Sequence, residues 1–472
     1  MFLQLNEEEH EGRRNSIDRL SRHSRLRLAL LSLLLAAPLT AQEHALAIAR
    51  DVERLAAGRS FWPGFEPLAI PLALYDGKRT WLFRHPAPPR DFAPSAISSV
   101  RAHVLEGRHP AVTSNSSADI GGVTTATLLA DGARAKLSSA ELAATALHES
   151  FHVFQRTRHP RWQGNEGDLL LYPIEHADLL VARRLETEAL RRALLAADPA
   201  RTACYARLAV DYRAQRFRAM DSAFVAYERG TELNEGLATY VQQRALGRTT
   251  VDVPPDEFPA GDVRLRIYTI GPAIAFLLDR IRPNWKESLE AHDRQTLDEV
   301  LAGALVGAVE SPMDGCALPP TDVRRIEDAA RRDAADVVSR RTTRRRAFDA
   351  RTGRRVLITA APGKPLWPQG FDPLNIERVD GGLLHTRFLA LGNDVCKATA
   401  IDENGIDIDA VTDGFGPHPL FNGVRRAVIA GVEKPVVTID GTRVTIQSSG
   451  LHLECSAATV EETAQEIRVS PH

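Results

Sequence analysis

Cysteine is scarce in this sequence, and its four cysteines, Cys204, Cys316, Cys396 and Cys455, stand far apart. With no Cys-x-x-Cys pair among them, neither a zinc ribbon nor a thioredoxin-like redox centre fits the spacing. A Gly-x-Ser-x-Gly nucleophile elbow is also missing, as is a glycine-rich loop followed by Lys that would cradle a phosphate. No charge of one sign dominates: the formal net charge is −2, which gives no reason to expect nucleic acid as a partner. Long apolar runs are absent except at residues 28–39, which follow Arg19, Arg22, Arg25 and Arg27 and lead through small residues to Ala41. That run is too short for a comfortable membrane span. Its layout is that of a secretory signal peptide, residues 1–41, with cleavage expected after Ala41. The expectation is an exported chain, secreted or periplasmic, with no stable membrane span after cleavage. An even number of cysteines in an oxidising compartment predicts two disulfides. Proximity pairs Cys204 with Cys316 and Cys396 with Cys455, although the sequence by itself permits three pairings.

At 472 residues the chain is too long for one core. Residues 42–135 open with a helical pattern at 43–57 and continue with strand-like segments, including a β-branched run at 120–129. Residues 136–352 read as helical: after a loop at 161–170, helices are expected over 173–197, 200–247 with a break near Gly230, 263–282 and 320–351. The last of these is rich in paired arginines and reads as a solvated face or a linker helix. Residues 353–472 turn to short strand-like runs, with a hairpin marked by Asp440-Gly441. The fold class is therefore α+β: N-terminal strands, a largely helical middle and a small C-terminal β domain. The segments 61–70 and 366–376 share Trp-Pro, Gly-Phe, an acid, Pro-Leu and Ile in order, and we read them as loops with similar packing roles.

The chemistry concentrates at His148-Glu149-Ser150-Phe151-His152. Ser138 and Glu141 form a capping-box signature, and no proline follows before Pro160, so the stretch belongs on a helix. There His148 and His152, at i and i+4, aim two imidazoles at one metal ion. Zinc accepts such ligands, and a catalytic site keeps one position open for water. Glu149, one step round the helix, is placed as general base and then acid. A third protein ligand is needed. Downstream, Asn234-Glu235-Gly236-Leu237-Ala238-Thr239-Tyr240 lies in helical sequence, and Tyr268-Thr269-Ile270-Gly271 follows.

His-Glu-x-x-His followed by Asn-Glu-Gly-x-Ala-x-Tyr resembles the gluzincin metallopeptidases, most of all their aminopeptidase N branch. The resemblance covers roughly residues 120–290. It implies a zinc-metallopeptidase catalytic domain, with the N-terminal segment forming part of it, that hydrolyses peptide or protein substrates with a zinc-bound water. It also implies Glu235 as third ligand to a single Zn2+ and Tyr268 as the hydroxyl that stabilises the oxyanion. The branch's Gly-x-Met-Glu-Asn segment, which anchors a free amino end, has no counterpart at 119–129, so aminopeptidase specificity is not implied. Glu235 follows His152 by 83 positions (152 to 235), more than the branch's one helical hairpin. Glu175, Glu186, Glu188 and Glu232 remain alternative third ligands. A binding protein that keeps the fold without catalysis, and a zinc hydrolase of a non-peptide substrate, are the alternative functions.

Overall fold

The computed structural model describes residues 41–95, 100–255, 258–306, 316–361, 363–401 and 409–472. The expected export segment thus lies outside the described residues except for Ala41, which opens helix α1 (Ala41–Ala56). Among the described residues no helix is long and apolar enough to cross a membrane.

A six-stranded sheet follows α1: β1 (Leu72–Tyr75), β2 (Arg79–Phe83), β3 (Ala93–Pro94), β4 (Ala102–Glu106), β5 (Ser116–Ile120) and β6 (Val123–Leu129), in spatial order β3-β4-β2-β1-β6-β5. The pair β1 and β6 is parallel; the other pairs are antiparallel. Where the sequence suggests one strand over 120–129, the chain instead turns at Gly121 and Gly122. Both have positive φ, which only glycine adopts without strain, so β5 folds back beside β6 and becomes the last strand of the sheet.

The helices are α2 (Ser139–Arg158), α3 (Glu166–Leu169), α4 (Ala177–Leu195), α5 (Pro199–Arg218), α6 (Ser222–Thr231), α7 (Leu237–Ala245), α8 (Val263–Ile281), α9 (Trp285–Ala291), α10 (Leu297–Ala304) and α11 (Pro320–Asp349). The short helices α3, α9 and α10 offer too few turns for periodicity to betray them. The break expected near Gly230 falls earlier, because Asp221 accepts a hydrogen bond from the Ala223 backbone and caps α6. Gly230 is continuous helix; a Cβ there would lie 2.4 Å from the Gln163 carbonyl oxygen, so the glycine lets the loop after α2 lie against α6. Between α6 and α7 the helix widens into one π turn, Glu232–Gly236.

The N-terminal sheet and the helices share one core, with Trp62, Trp81, Phe151 and Trp285 buried in it. The charged helix α11 joins that core through Ile326, Ala330, Ala334 and Val337, spaced to face one side, and presents Phe348 to the C-terminal strands. Those strands, from Arg354–Thr359 to Glu466–Pro471, form sheets of seven and six strands around a second core. The expected hairpin is present: Val436–Asp440 pairs with Arg443–Ser448 across Gly441, whose φ is 59°. Both expected disulfides are formed, Cys204–Cys316 and Cys396–Cys455. The likeness between 61–70 and 366–376 is local only. Each ends in a 3-10 turn, Pro67–Ala69 and Pro373–Asn375, but Trp62 is buried whereas Trp367 is 45% exposed.

Candidate metal centre

Helix α2 begins with a complete capping box: the Glu141 backbone donates to Ser138 Oγ and the Ser138 backbone to Glu141 Oε2. It packs between α1 and β6, which buries the stretch from Leu147 to Val153. His148 and His152 leave that buried side together, with their Nε2 atoms 3.0 Å apart. Glu235 Oε2 approaches both, at 3.6 Å from His148 Nε2 and 3.2 Å from His152 Nε2. These three side chains are buried, and their ligand atoms lie within 4.8 Å of one another, so the group could hold a metal ion.

Glu235 reaches the histidines because the π turn is tied to α2. Gln155 donates from Nε2 to the carbonyls of Leu233 and Asn234, at 2.8 and 3.0 Å. With its amide nitrogen so engaged, its oxygen faces His152 Nδ1 at 2.8 Å. An oxygen can only accept, so Nδ1 carries the hydrogen and Nε2, which faces Glu235, is the nitrogen left for a metal. That tautomer is the one a metal requires, and Gln155 is the outer partner that fixes it.

The second oxygen of Glu235 is also committed. From α8, Arg264 Nη2 donates to Glu235 Oε1 at 2.9 Å and approaches the Tyr268 hydroxyl at 3.2 Å, while its Nη1 pairs with Glu166. Burial pushes the Glu235 carboxyl up, but His152, His148 and Arg264 outweigh it and hold the group well below the usual carboxylate range. Burial raises Glu166 above its usual value against the pull of Arg264. A cleft of about 730 Å3 opens over the group, lined by Glu149, Trp162, Glu166, Arg264 and Tyr268 among others. Ser114, Asn115 and Ser116, at the start of edge strand β5, line it too. The strand on the cleft is therefore β5, not the β6 segment that leads into the motif helix.

The alternative ligands are held elsewhere. Glu175 pairs with Arg341 and Arg378. Glu188 pairs with Arg191 and Arg192. Glu186 accepts from Arg213, Arg216 and Arg266, and Glu232 from Arg213, in a fully buried ionic cluster. Among the described residues only Glu235 joins the two histidines. Between His152 and Glu235, residues 153–234 carry the end of α2, helices α3 to α6 and the start of the π turn, with α4 and α5 packed along each other. Tyr240 is packing, its hydroxyl bonded to Asp279. Histidines away from the centre are bound elsewhere, His85 at the Ile120 carbonyl and His385 at the Thr412 hydroxyl. Sequence reasoning misses Gln155, Arg264 and Glu166. Arg264 lies four residues before Tyr268, so helical spacing alone puts the two on one face. Gln155, three residues after His152 on α2, shares a face with it by the same spacing; Glu166 carries no such signal.

Comparison of the chain with models of protein families, with curated proteins and with solved structures finds no match in any of the three. The reading of this centre therefore rests on its own geometry and on the order of its motifs.

Proposed function

We propose that the chain is an exported zinc-dependent peptidase of gluzincin type. The observation that carries this reading is the convergence of His148 Nε2, His152 Nε2 and Glu235 Oε2 beside Glu149 in one cleft. Two neutral imidazole nitrogens and a carboxylate are the donor set of a catalytic zinc site with an open position. His148, His152 and Glu235 hold the ion. When bound, zinc makes a water acidic enough to ionise near neutral pH and polarises a carbonyl. Glu149 takes the proton from the attacking water and returns it to the leaving nitrogen. Tyr268, with Arg264 beside it, supplies hydrogen-bond donors where the carbonyl oxygen becomes negative. The open edge of β5 accepts an extended substrate by backbone hydrogen bonds. Two disulfides accord with export into an oxidising compartment.

The test uses protein beginning at Gln42. About one zinc per chain by elemental mass spectrometry, lost in Glu235→Ala, supports the site. Chelator-sensitive cleavage of casein or a peptide library, abolished in Glu149→Gln with zinc retained, supports the reaction. Full activity in Glu149→Gln overturns the mechanism. Bound zinc without peptide cleavage transfers the proposal to a non-peptide carbonyl substrate or to a binding role.

A further inference from the structure

The segment that closes the cleft between α2 and α4 touches the C-terminal sheets as well as the metal centre. Residues 162–166 line the cleft. At the next position, Gly167, the Phe421 ring lies so close that a Cβ would stand 2.8 Å from Phe421 Cδ2. The Gly167 carbonyl faces His418 Nε2 at 3.0 Å. His418 is buried, and its Nδ1 accepts from the backbones of Leu420 and Phe421, at 3.1 and 3.0 Å. Those two bonds fix the neutral tautomer with the hydrogen on Nε2, so His418 donates to Gly167. Leu170 and Leu171, immediately after α3, pack against the core of the C-terminal sheets.

On its other side α3 presents Glu166 to Arg264, which in turn donates to Glu235. An unbroken set of contacts thus runs from His418 through Gly167, Glu166 and Arg264 to the carboxylate that completes the metal centre. We propose that the C-terminal loop at 415–423 is a positioning element of that centre, with His418 holding α3 and Glu166 sharing the charge of Arg264. The physical need is specific. Arg264 is largely buried, and among the described residues Glu166 and Glu235 are the carboxylates it pairs with. Without Glu166 its whole charge falls on Glu235, which draws the carboxylate toward the guanidinium and lowers its donor strength toward a metal. The C-terminal sheets are in this view part of the catalytic unit.

The inference rests on the metal-centre reading above, and zinc affinity, measured by competition with a chromogenic chelator, separates the two. Glu166→Gln is expected to weaken zinc binding ten-fold or more. His418→Ala is expected to weaken it by a smaller factor, and His418→Gln, whose amide can donate to Gly167, to restore it. Glu175→Gln is the control: it removes other contacts to Arg341 and the C-terminal Arg378 but has no contact with Arg264, and is expected to leave zinc affinity unchanged. Thermal unfolding of each metal-free variant reports the purely structural part, and an affinity loss that merely follows unfolding would overturn the relay. Equal zinc affinity in the unaltered chain and Glu166→Gln overturns the inference alone. No zinc in the unaltered chain overturns the metal-centre reading and the inference with it.

Discussion

Gly236 and Gly271 meet backbone to backbone: a Cβ built on Gly271 would stand 2.5 Å from the Cα of Gly236, and one built on Gly236 2.8 Å from the Cα of Gly271. Close approach, rather than a left-handed backbone, is what the two glycines provide, since neither has a positive φ. The contact lets α8 cross the π turn with no side chain between them. Arg264 and Tyr268, earlier on α8, thereby come within reach of Glu235 and the cleft.

Gly271→Ala tests that crossing with a single methyl group. Overpacking against rigid backbone costs about 1–3 kcal/mol, while alanine regains about 1 kcal/mol of helix propensity. The net expectation is a less stable protein whose zinc affinity also falls, because α8 must back away from Glu235. Urea unfolding and zinc titration, made on the same sample, check it. Unchanged values in both would show that the helices have room to spare.

Gln155→Leu should strike the metal centre without touching a ligand. It removes the acceptor that fixes the His152 tautomer and the donor to two carbonyls of the π turn. Loss of such an outer partner typically lowers metal affinity about 10–100-fold, and each lost hydrogen bond adds about 0.5–1.5 kcal/mol of destabilisation, the Asn234 carbonyl keeping the Leu237 backbone N–H. Gln155→Glu keeps an acceptor for His152 but has no N–H for the carbonyls, so it should recover affinity more than stability. Chelator competition and urea unfolding together report the split.

Much of this centre is legible in the amino-acid sequence. His148 and His152 announce themselves by spacing, and Asn234-Glu235-Gly236 by resemblance. The capping box at Ser138 marks the start of α2, and the Asp440-Gly441 turn marks a hairpin, because both are local chemistry. What stays hidden depends on contacts between distant segments. Spacing places Gln155 on the His152 face of α2, but its tie to the π turn, like the pairing of Glu166 with Arg264, exists only once the π turn and α8 are in place. Glu186 and Glu232 look as eligible as Glu235 in sequence, and only burial against Arg213, Arg216 and Arg266 removes them.

That buried cluster gives a stability prediction that separates it from the metal centre. Arg213, Arg216 and Arg266 are at most 3% exposed, and Glu186 serves all three. Burial pushes the Glu186 carboxyl up, but the three guanidinium groups win and hold it well below the usual range. Breaking a buried pair from one side costs about 3–5 kcal/mol, because the partner charge is stranded. Glu186→Gln should therefore lower stability by that order in urea unfolding while leaving one zinc per chain. Loss of zinc from a folded Glu186→Gln protein would restore Glu186 as a ligand candidate.

A last prediction concerns acid, and its sign comes from His385. The ring is buried in the C-terminal sheets with Nε2 at the Thr412 hydroxyl, and burial pushes its pKa down to about 3. In the unfolded chain a histidine titrates near 6.5. Between those values the unfolded state binds more protons than the folded one, so stability is complete above about pH 6.5 and falls as pH falls. By pH 4 the loss from this one group is roughly 3 kcal/mol. His385→Phe removes the titration at the expense of the Thr412 contact, so it should be the less stable protein at pH 7 and should close the gap by pH 4. Urea unfolding of both proteins at the two pH values isolates the effect, because every other titrating group is common to them. Parallel losses in the two proteins would place the acid sensitivity in the carboxylates instead.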